Sequence, residues 1–279
     1  MIGQTPVIAV ANQKGGVGKT TTVVNLAAVL AARKKTVLVL DLDPQANATS
    51  GLGVEPKSGV SLYTALTDSN ALDDVIVGTT VENVNIIPSE VNLAGVEIEI
   101  ARMEDRLHGL SKVLAPVKAA GVFDYIIIDC PPSLGILMSN ALAAADRIIV
   151  PMQCEYYAME GLSVITGLVE RIRTGGANPS LRLDGIIMTM YSRTKLADEV
   201  VSQVRAHYAD AVYKNVIPRG IRASEAPSFG LPVVAYAPTS TVAEAYFEFG
   251  AEFLARDKAI QAAATKVDLP PSPASSDLA

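Results

Sequence analysis

The sequence predicts a doubly wound α/β fold, in which a mostly parallel sheet carries helices on both of its faces. Three observations support this prediction. Short apolar runs alternate with helical segments along nearly the whole chain. The apolar runs lack the in-and-out alternation of half-exposed strands, which is typical of strands covered on both faces. The 279 residues are 49% hydrophobic and 19% charged, a composition that supports a large buried core.

The elements follow one another in a regular order. The first strand is Val7 to Ala11, and it leads through a glycine-rich loop into a helix from Thr20 to Ala32. β-branched residues mark the second strand, Thr36 to Leu42. Further short apolar runs predict the strands Val84–Pro88, Tyr125–Asp129, Arg147–Pro151, Leu183–Met190 and Tyr213–Ile217. Helical periodicity predicts the helices Val91–Ala120, Gly135–Ala145, Ala158–Arg173, Lys195–Tyr208 and Val242–Arg256.

We expect one domain over residues 1–257 and a flexible tail over residues 258–279. The tail contains Pro270-Pro271-Ser272-Pro273, a composition that cannot build a core. No run approaches the roughly 18 apolar residues of a membrane span, and the first strand begins almost at once, so neither a membrane helix nor a secretory leader is expected. Two cysteines without a C-x-x-C pair favour a reduced, cytoplasmic location.

The loop after the first strand predicts a phosphate-binding site. Its glycines let backbone N–H groups approach an anion without a Cβ in the way. Lys19 places a cation beside the β- and γ-phosphates, and the Thr20 hydroxyl can ligate Mg²⁺. The residues expected to hold a nucleoside triphosphate are Lys14, Gly15, Gly16, Val17, Gly18, Lys19, Thr20 and Thr21.

Acidic residues at the ends of two later strands extend this site. Asp41 and Asp43 lie at i and i+2, so their side chains point the same way, at the edge where such sheets bind ligands. Asp43 is predicted to position the attacking water and Asp41 to join the Mg²⁺ shell. Alternatively, both acids cap the next helix. Asp129 ends an apolar strand and is predicted to hold Mg²⁺ through water.

The glycine-rich loop departs from the common pattern G-x-x-x-x-G-K-[ST] at two positions. Gln13 replaces the first glycine, and Lys14 adds a second cation. The string K-G-G-V-G-K-T-T resembles the deviant Walker A motif of the ParA/MinD superfamily of P-loop NTPases. Residues 41–53, 124–135 and 224–232 resemble the ParA/Soj chromosome- and plasmid-partition ATPases more specifically. The similarity covers about residues 7–254.

This resemblance implies a cytoplasmic, nucleoid-associated ATPase with slow basal turnover that forms an ATP-bound sandwich homodimer. Lys14 then reaches the other protomer's phosphates, while Lys19 and Asp43 complete the catalytic set. The ATP dimer binds double-stranded DNA without sequence preference, and a ParB/Spo0J-type centromere-binding protein stimulates hydrolysis and releases it. The resemblance also places three residues at the adenine: Met190, Pro218 and Gly220. The family often has Asn at the third of these positions.

A basic segment between residues 191 and 222 is the predicted DNA surface. It holds six arginines and lysines against three acids, although the whole chain has a net charge of −6. Such a local excess suits a surface that follows phosphates, which becomes continuous when two protomers pair. The predicted DNA contacts are Arg193, Arg219 and Arg222. Arg193 and Arg222 match basic positions in Soj-like proteins. The alternative is an ordinary solvated helical face.

Three other functions remain open at this point. A MinD-like positioning ATPase would bind membrane through a basic amphipathic C-terminal helix, whereas this sequence ends in a Pro/Ser-rich, nearly uncharged segment. An iron protein related to nitrogenase reductase would need two cysteines placed to share a cluster, which Cys130 and Cys154 do not match. A P-loop enzyme acting on a small molecule would need an acceptor site, and the sequence indicates none.

Overall fold

A single eight-stranded sheet organises the computed structural model, which describes residues 5–68, 72–102, 104–156 and 158–267. The order of strands across the sheet is β3-β4-β2-β5-β1-β6-β7-β8, and every pairing is parallel except that of β3 with β4 at one edge. The predicted mostly parallel sheet is therefore confirmed. The strands are β1 (Val7–Val10), β2 (Val37–Asp41), β3 (Val77–Gly78), β4 (Val84–Ile87), β5 (Tyr125–Asp129), β6 (Arg147–Gln153), β7 (Arg182–Tyr191) and β8 (Val212–Pro218).

Helices connect most of the strands and cover both faces of the sheet. Short 3-10 turns add to them at Ala209–Ala211 and Ala226–Phe229. No helix in the described ranges is both long and apolar enough to cross a bilayer. The helices are α1 (Lys19–Ala32), α2 (Asn47–Gly51), α3 (Leu62–Thr67), α4 (Leu72–Val75), α5 (Leu93–Ala101), α6 (Gly109–Ala120), α7 (Ile136–Ala144), α8 (Ala158–Thr174), α9 (Lys195–Tyr208), α10 (Ile221–Glu225), α11 (Val233–Tyr236) and α12 (Thr241–Val267).

Two hydrophobic clusters sandwich the sheet. One is formed with α3 to α9, and the other with α1, α2, α11 and α12. β1 illustrates why both faces must be apolar: Val7 and Ala9 point into the first cluster, whereas Ile8 and Val10 point into the second. All four residues are completely buried. The uninterrupted apolar strands of the sequence are thus explained by burial on both faces.

The helical span predicted from Val91 to Ala120 is wrong in one respect, because the structure divides it into α5 and α6. The polar side chain of Asn140 on α7 binds the backbone at this division. Its Nδ2 donates to the Arg106 carbonyl oxygen at 2.8 Å, and its Oδ1 accepts from the Leu110 N–H at 3.3 Å. A buried amide that satisfies loop backbone groups lets the chain leave the helix without losing hydrogen bonds.

The last helix is longer than the sequence predicted, since α12 continues to Val267 rather than ending near Arg256. Residues 258–267, assigned to a tail by composition, are thus helical, and residues 268–279 lie outside the described residues. A buried ionic network fastens this helix to the amino edge of the sheet. Arg147 of β6 pairs with Asp184 of β7 at 2.8 Å and with Asp257 of α12 at 2.6 Å. Separating these buried charges would leave each one unpaired at a high cost, so the network favours this placement of α12.

Candidate functional site

The predicted site residues meet at the carboxyl edge of the sheet. β1 ends at Val10 beside Asp129 of β5, and β2 places Asp41 opposite Asp129 in the register of the two strands. Ligands of open α/β sheets bind at this edge, where the loops that follow the strands converge. The structure therefore brings the acids at the ends of β2 and β5 next to the glycine-rich loop that follows β1.

The loop between β1 and α1 has the shape of an anion cradle. Gly16 and Gly18 have φ angles of 73° and 84°, the left-handed region that glycine adopts without steric cost. Gly18 is the N-cap of α1, so the first N–H groups of that helix open toward the loop. A side chain at either glycine would strain this backbone, which explains why the loop requires glycine there.

Lys19 lies inside the cradle and is only 7% exposed. Its Nζ donates to the Lys14 carbonyl oxygen at 3.1 Å. Burial lowers the pKa of Lys19, and the negative charges of Asp129 and Asp43 partly offset this effect. The ammonium is thus desolvated and close to two acids, and it can neutralise the charge of a phosphate in the loop.

Asp129 has the chemistry expected of a group that faces a cation. It is completely buried, and neither carboxylate oxygen has a hydrogen-bond partner within the described residues. Burial and the neighbouring Asp41 raise the pKa of Asp129 well above its usual value, while the Thr20 hydroxyl and Lys19 partly oppose the shift. Unpaired buried carboxylate oxygens beside a hydroxyl are hard oxygen donors that suit Mg²⁺, so Thr20 and Asp129 fit the predicted ion.

Asp41 and Asp43 have different environments. Both oxygens of Asp41 accept hydrogen bonds: one from the Asp43 N–H at 3.1 Å, the other from the N–H and hydroxyl of Thr49 at 2.8 and 2.7 Å. Burial raises the pKa of Asp41 to about 6, against these bonds. Asp43 is half-buried, and its charge acts on both Lys19 and Asp129. Both acids thus make contacts of the capping kind, since an oxygen of Asp43 accepts from the Gln45 N–H at 3.0 Å just before α2.

Lys14 is directed away from the cradle. Its Nζ forms an ion pair with Glu155 at 2.6 Å, and the two side chains are 43% and 50% exposed. Glu155 follows β6, so this contact joins the P-loop to the neighbouring loop of the same edge. The second lysine of the motif is therefore available at the protein surface while Lys19 occupies the loop interior.

A cavity of about 400 Å³ adjoins the P-loop. Gly18 and Thr21 form part of its wall, and its far side contains the three positions predicted to lie at the base, Met190, Pro218 and Gly220. The volume falls in the usual range for a small-ligand pocket, about 300–1,000 Å³. The cavity thus shares Gly18 with the cradle.

Gly220 departs from the residue that the family often carries, and its packing explains why. Its φ of −154° is extended backbone that any residue adopts. However, a Cβ at this position would lie 2.3 Å from Cγ2 of Val242. The branched valine is stiff at χ1 and cannot turn away easily. Glycine is therefore a consequence of Val242, and this position offers only backbone groups to a base.

The three predicted DNA-contacting arginines are exposed near one another in the fold. Arg193 follows β7, and Arg219 and Arg222 flank the start of α10. The Arg219 N–H donates to the Tyr191 carbonyl oxygen at 2.9 Å, which holds the end of β8 beside the end of β7. Arg222 forms an ion pair with Glu225 at 2.8 Å, so its charge is partly balanced within α10.

Sequence reasoning did not identify three polar residues that support the P-loop from behind. Asn12 donates to the Pro151 carbonyl oxygen at 2.8 Å and accepts from the Lys14 N–H at 3.0 Å. Gln153 and Thr189, at the ends of β6 and β7, donate to carbonyl oxygens of the loop. Their polarity inside apolar surroundings was the available signal, although sequence alone does not show what they touch.

Known proteins share this arrangement over most of the chain. The family model described as an AAA domain matches residues 5–183. The sporulation initiation inhibitor protein Soj of Bacillus subtilis is 49% identical over 252 residues, which cover 89% of this chain and 98% of Soj. The chromosome partitioning protein ParA of Caulobacter vibrioides is 44% identical over 260 residues, covering 92% and 97%. The chain belongs to the ParA/Soj family of partition ATPases.

Solved structures support the fold of this partition ATPase. Cobyrinic acid a,c-diamide synthase from Mycobacterium smegmatis, solved with a bound ATP analog and magnesium, has a TM-score of 0.79 and 37% sequence identity. The match covers 91% of this chain and 96% of the synthase. The similarity to Soj and ParA therefore favours partition over the MinD-like alternative as the family function.

Proposed function

We propose that this partition ATPase binds ATP with Mg²⁺ at the carboxyl edge and uses hydrolysis to control its attachment to DNA. The observation that carries the proposal is the convergence of the P-loop, Lys19, Asp43 and the unpaired carboxylate of Asp129 at one edge. This convergence supports the proposal because phosphoryl transfer needs a cation, a carboxylate that orients water and an oxygen ligand for Mg²⁺ close together. The adjoining cavity next to Met190 takes the base.

Asp43 is the residue proposed to orient the attacking water. It is half-buried, its charge acts on Lys19 and Asp129, and one of its oxygens accepts from the Gln45 N–H at 3.0 Å. That bond fixes the carboxylate and leaves oxygen lone pairs for a water. A bound Mg²⁺ would supply charge neutralisation, with Thr20 and Asp129 as its protein ligands. Lys19 holds the β- and γ-phosphates in place during transfer to water.

Lys14 is proposed to act between two protomers. Its side chain lies on the surface in an ion pair with Glu155 and makes no part of the loop interior. An exposed cation beside the phosphate site can neutralise the phosphates of a second protomer, which would draw two copies together around two nucleotides. The dimer thus forms only when the triphosphate is present, and hydrolysis, with slow basal turnover, returns the protein to monomers.

DNA attachment is proposed to follow from the dimer. Pairing of two copies would join their exposed arginines, Arg193, Arg219 and Arg222, into one surface for the phosphates of duplex DNA. Binding of this kind is not specific for sequence and weakens steeply as salt rises. A ParB/Spo0J-type protein would stimulate hydrolysis and so release the dimer, which gives a cytoplasmic ATPase that is associated with the nucleoid.

Binding of random-sequence duplex DNA tests this proposal. Wild-type protein and Lys14→Ala are compared at low salt with ATP and with ADP. The dimer switch is supported if only wild type with ATP binds DNA tightly, while Lys14→Ala keeps its affinity for ATP. Intact ATP hydrolysis without DNA binding in either nucleotide would contradict it and direct the next test to lipid vesicles.

A second variant tests the role of Asp43. Asp43→Ala removes the carboxylate but leaves the P-loop and Lys14 unchanged, so it should bind ATP, dimerise and remain on DNA. Single-turnover hydrolysis and the rate of release from DNA are the measurements. Normal turnover in this variant would assign the water to another residue.

A further inference from the structure

Two side chains on neighbouring strands donate hydrogen bonds to carbonyl oxygens of the P-loop. Gln153 ends β6 and Thr189 lies near the end of β7, and the two residues are partners in the parallel register of those strands. Gln153 Nε2 donates to the Gly16 carbonyl oxygen at 2.7 Å. Thr189 Oγ1 donates to the next carbonyl oxygen, that of Val17, at 2.8 Å. Consecutive peptide units of the loop are thus each fixed by one donor.

The position of a carbonyl determines where the rest of its peptide unit points. In a trans peptide the C=O of one residue and the N–H of the next are antiparallel. Holding the carbonyls of Gly16 and Val17 against β6 and β7 therefore turns the N–H groups of Val17 and Gly18 to the opposite side. That side is the cradle, where Lys19 Nζ also lies against the Lys14 carbonyl oxygen. The N–H groups then face an anion before it arrives.

Both donors are themselves restrained. Thr189 is 2% exposed, and its side chain lies against Gly18, where an added Cβ would be 3.9 Å from Thr189 Cβ and Cγ2. Gln153 Nε2 also approaches Met190 Sδ at 3.0 Å, next to the base cavity. Donors that are fixed by packing can hold a flexible, glycine-rich loop in one shape without cost when the ligand binds.

We propose that Gln153 and Thr189 are positioning residues that orient the P-loop N–H groups toward the β-phosphate of the nucleotide. The proposal rests on the nucleotide site proposed above, and it adds residues that do not contact the nucleotide's phosphates themselves. It predicts a selective effect, because the base and the α-phosphate gain less from these N–H groups than the β-phosphate does. Loss of either donor should weaken diphosphate binding more than monophosphate binding.

Thr189→Val is the test, since it removes the hydroxyl and keeps the shape of the side chain. Thr189→Ser keeps the hydroxyl and is the matched control. Affinities for ADP with Mg²⁺ and for AMP are measured by competition with a fluorescent nucleotide, and ADP is used so that dimerisation does not contribute. One lost hydrogen bond should weaken ADP about two- to twelvefold, leave AMP nearly unchanged, and be restored in Thr189→Ser.

Gln153→Met provides an independent variant at a half-buried position, where a change is better tolerated than in the core. It should shift the ratio of ADP to AMP affinity in the same direction, and the double variant should shift it further. Equal losses for ADP and AMP, or unchanged ADP affinity in folded variants, would overturn the positioning role. Wild-type protein that binds neither ADP nor ATP would instead refute the proposed function.

Discussion

The ion pair between Lys14 and Glu155 makes a quantitative prediction about assembly. If Lys14 acts on the phosphates of a second protomer, it must first leave Glu155, which it contacts at 2.6 Å within its own chain. Glu155→Gln removes this competing carboxylate and one negative charge near the triphosphates. We therefore expect Glu155→Gln to dimerise more tightly with ATP than wild type does, without a change in ATP affinity under conditions that keep the protein monomeric.

The magnitude follows from the exposure of the pair. The two side chains are 43% and 50% exposed, so solvent screens their attraction. Pairs of this kind contribute about 0.2–1 kcal/mol. A symmetric dimer breaks two of them, which amounts to about 0.4–2 kcal/mol, or a roughly two- to thirtyfold tighter dimer. The gain should shrink at high salt, because screening weakens an exposed ion pair.

Sedimentation or mass photometry over a protein dilution series with ATP measures the dimer Kd. Glu160→Gln is the matched control: Glu160 is exposed on the first turn of α8, and its substitution removes the same charge five positions away. Lys14→Ala in the same series should not dimerise. An equal gain in both glutamine variants would show a general charge effect, and a weaker Glu155→Gln dimer would refute the reasoning about Lys14.

Three further substitutions test the packing, the DNA surface and the acidic edge. Gly220→Ala should lower stability by about 1–3 kcal/mol through the clash with Val242, and a second change, Val242→Ala, should recover part of the loss in thermal unfolding. Arg193→Glu should weaken duplex DNA binding and lower its salt dependence while ATP affinity is kept, and unchanged DNA affinity at matched salt would contradict the assignment. The raised pKa values of Asp41, about 6, and Asp129 mean that the folded state binds protons more tightly than the unfolded chain. Stability of the nucleotide-free protein should therefore fall as pH rises from about 4 through these pKa values, and Asp129→Asn should flatten that fall in denaturant titrations at several pH values.

Local sequence signals predicted the regular elements well. β5 and α9 begin and end where the apolar run and the helical periodicity do. The short elements were missed, because β3 and α2 span only two and five residues and are too short for a hydrophobic period to repeat. The division between α5 and α6 was missed for another reason, since it depends on Asn140, which is 34 and 30 positions along the chain from the backbone groups that it binds.

The residues of the candidate site also divide into those that a local motif predicts and those that only the fold brings together. The sequence could propose roles for Lys19, Asp43 and Asp129, because each belongs to a short motif that indicates its chemistry without reference to the rest of the fold. Gln153 and Thr189 could not, because their contacts with the P-loop span 137 and 172 positions and arise only when β6 lies beside β1 and β7 lies beside β6. Polar residues at strand ends are common, and only the fold shows which carbonyl each one meets.

The electrostatics of the carboxyl edge explain why this site is built for a cation. Asp41 and Asp129 are both completely buried on adjacent strands, and each like charge there raises the cost of ionising the other. Asp41 is stabilised by Thr49 and by the Asp43 N–H, whereas Asp129 has no such bonds. Asp129, beside Thr20, therefore resists ionisation as long as no further cation neutralises it. Asp41 adds to this effect because its charge raises the pKa of Asp129, and a divalent ion beside the two acids would offset the repulsion between them.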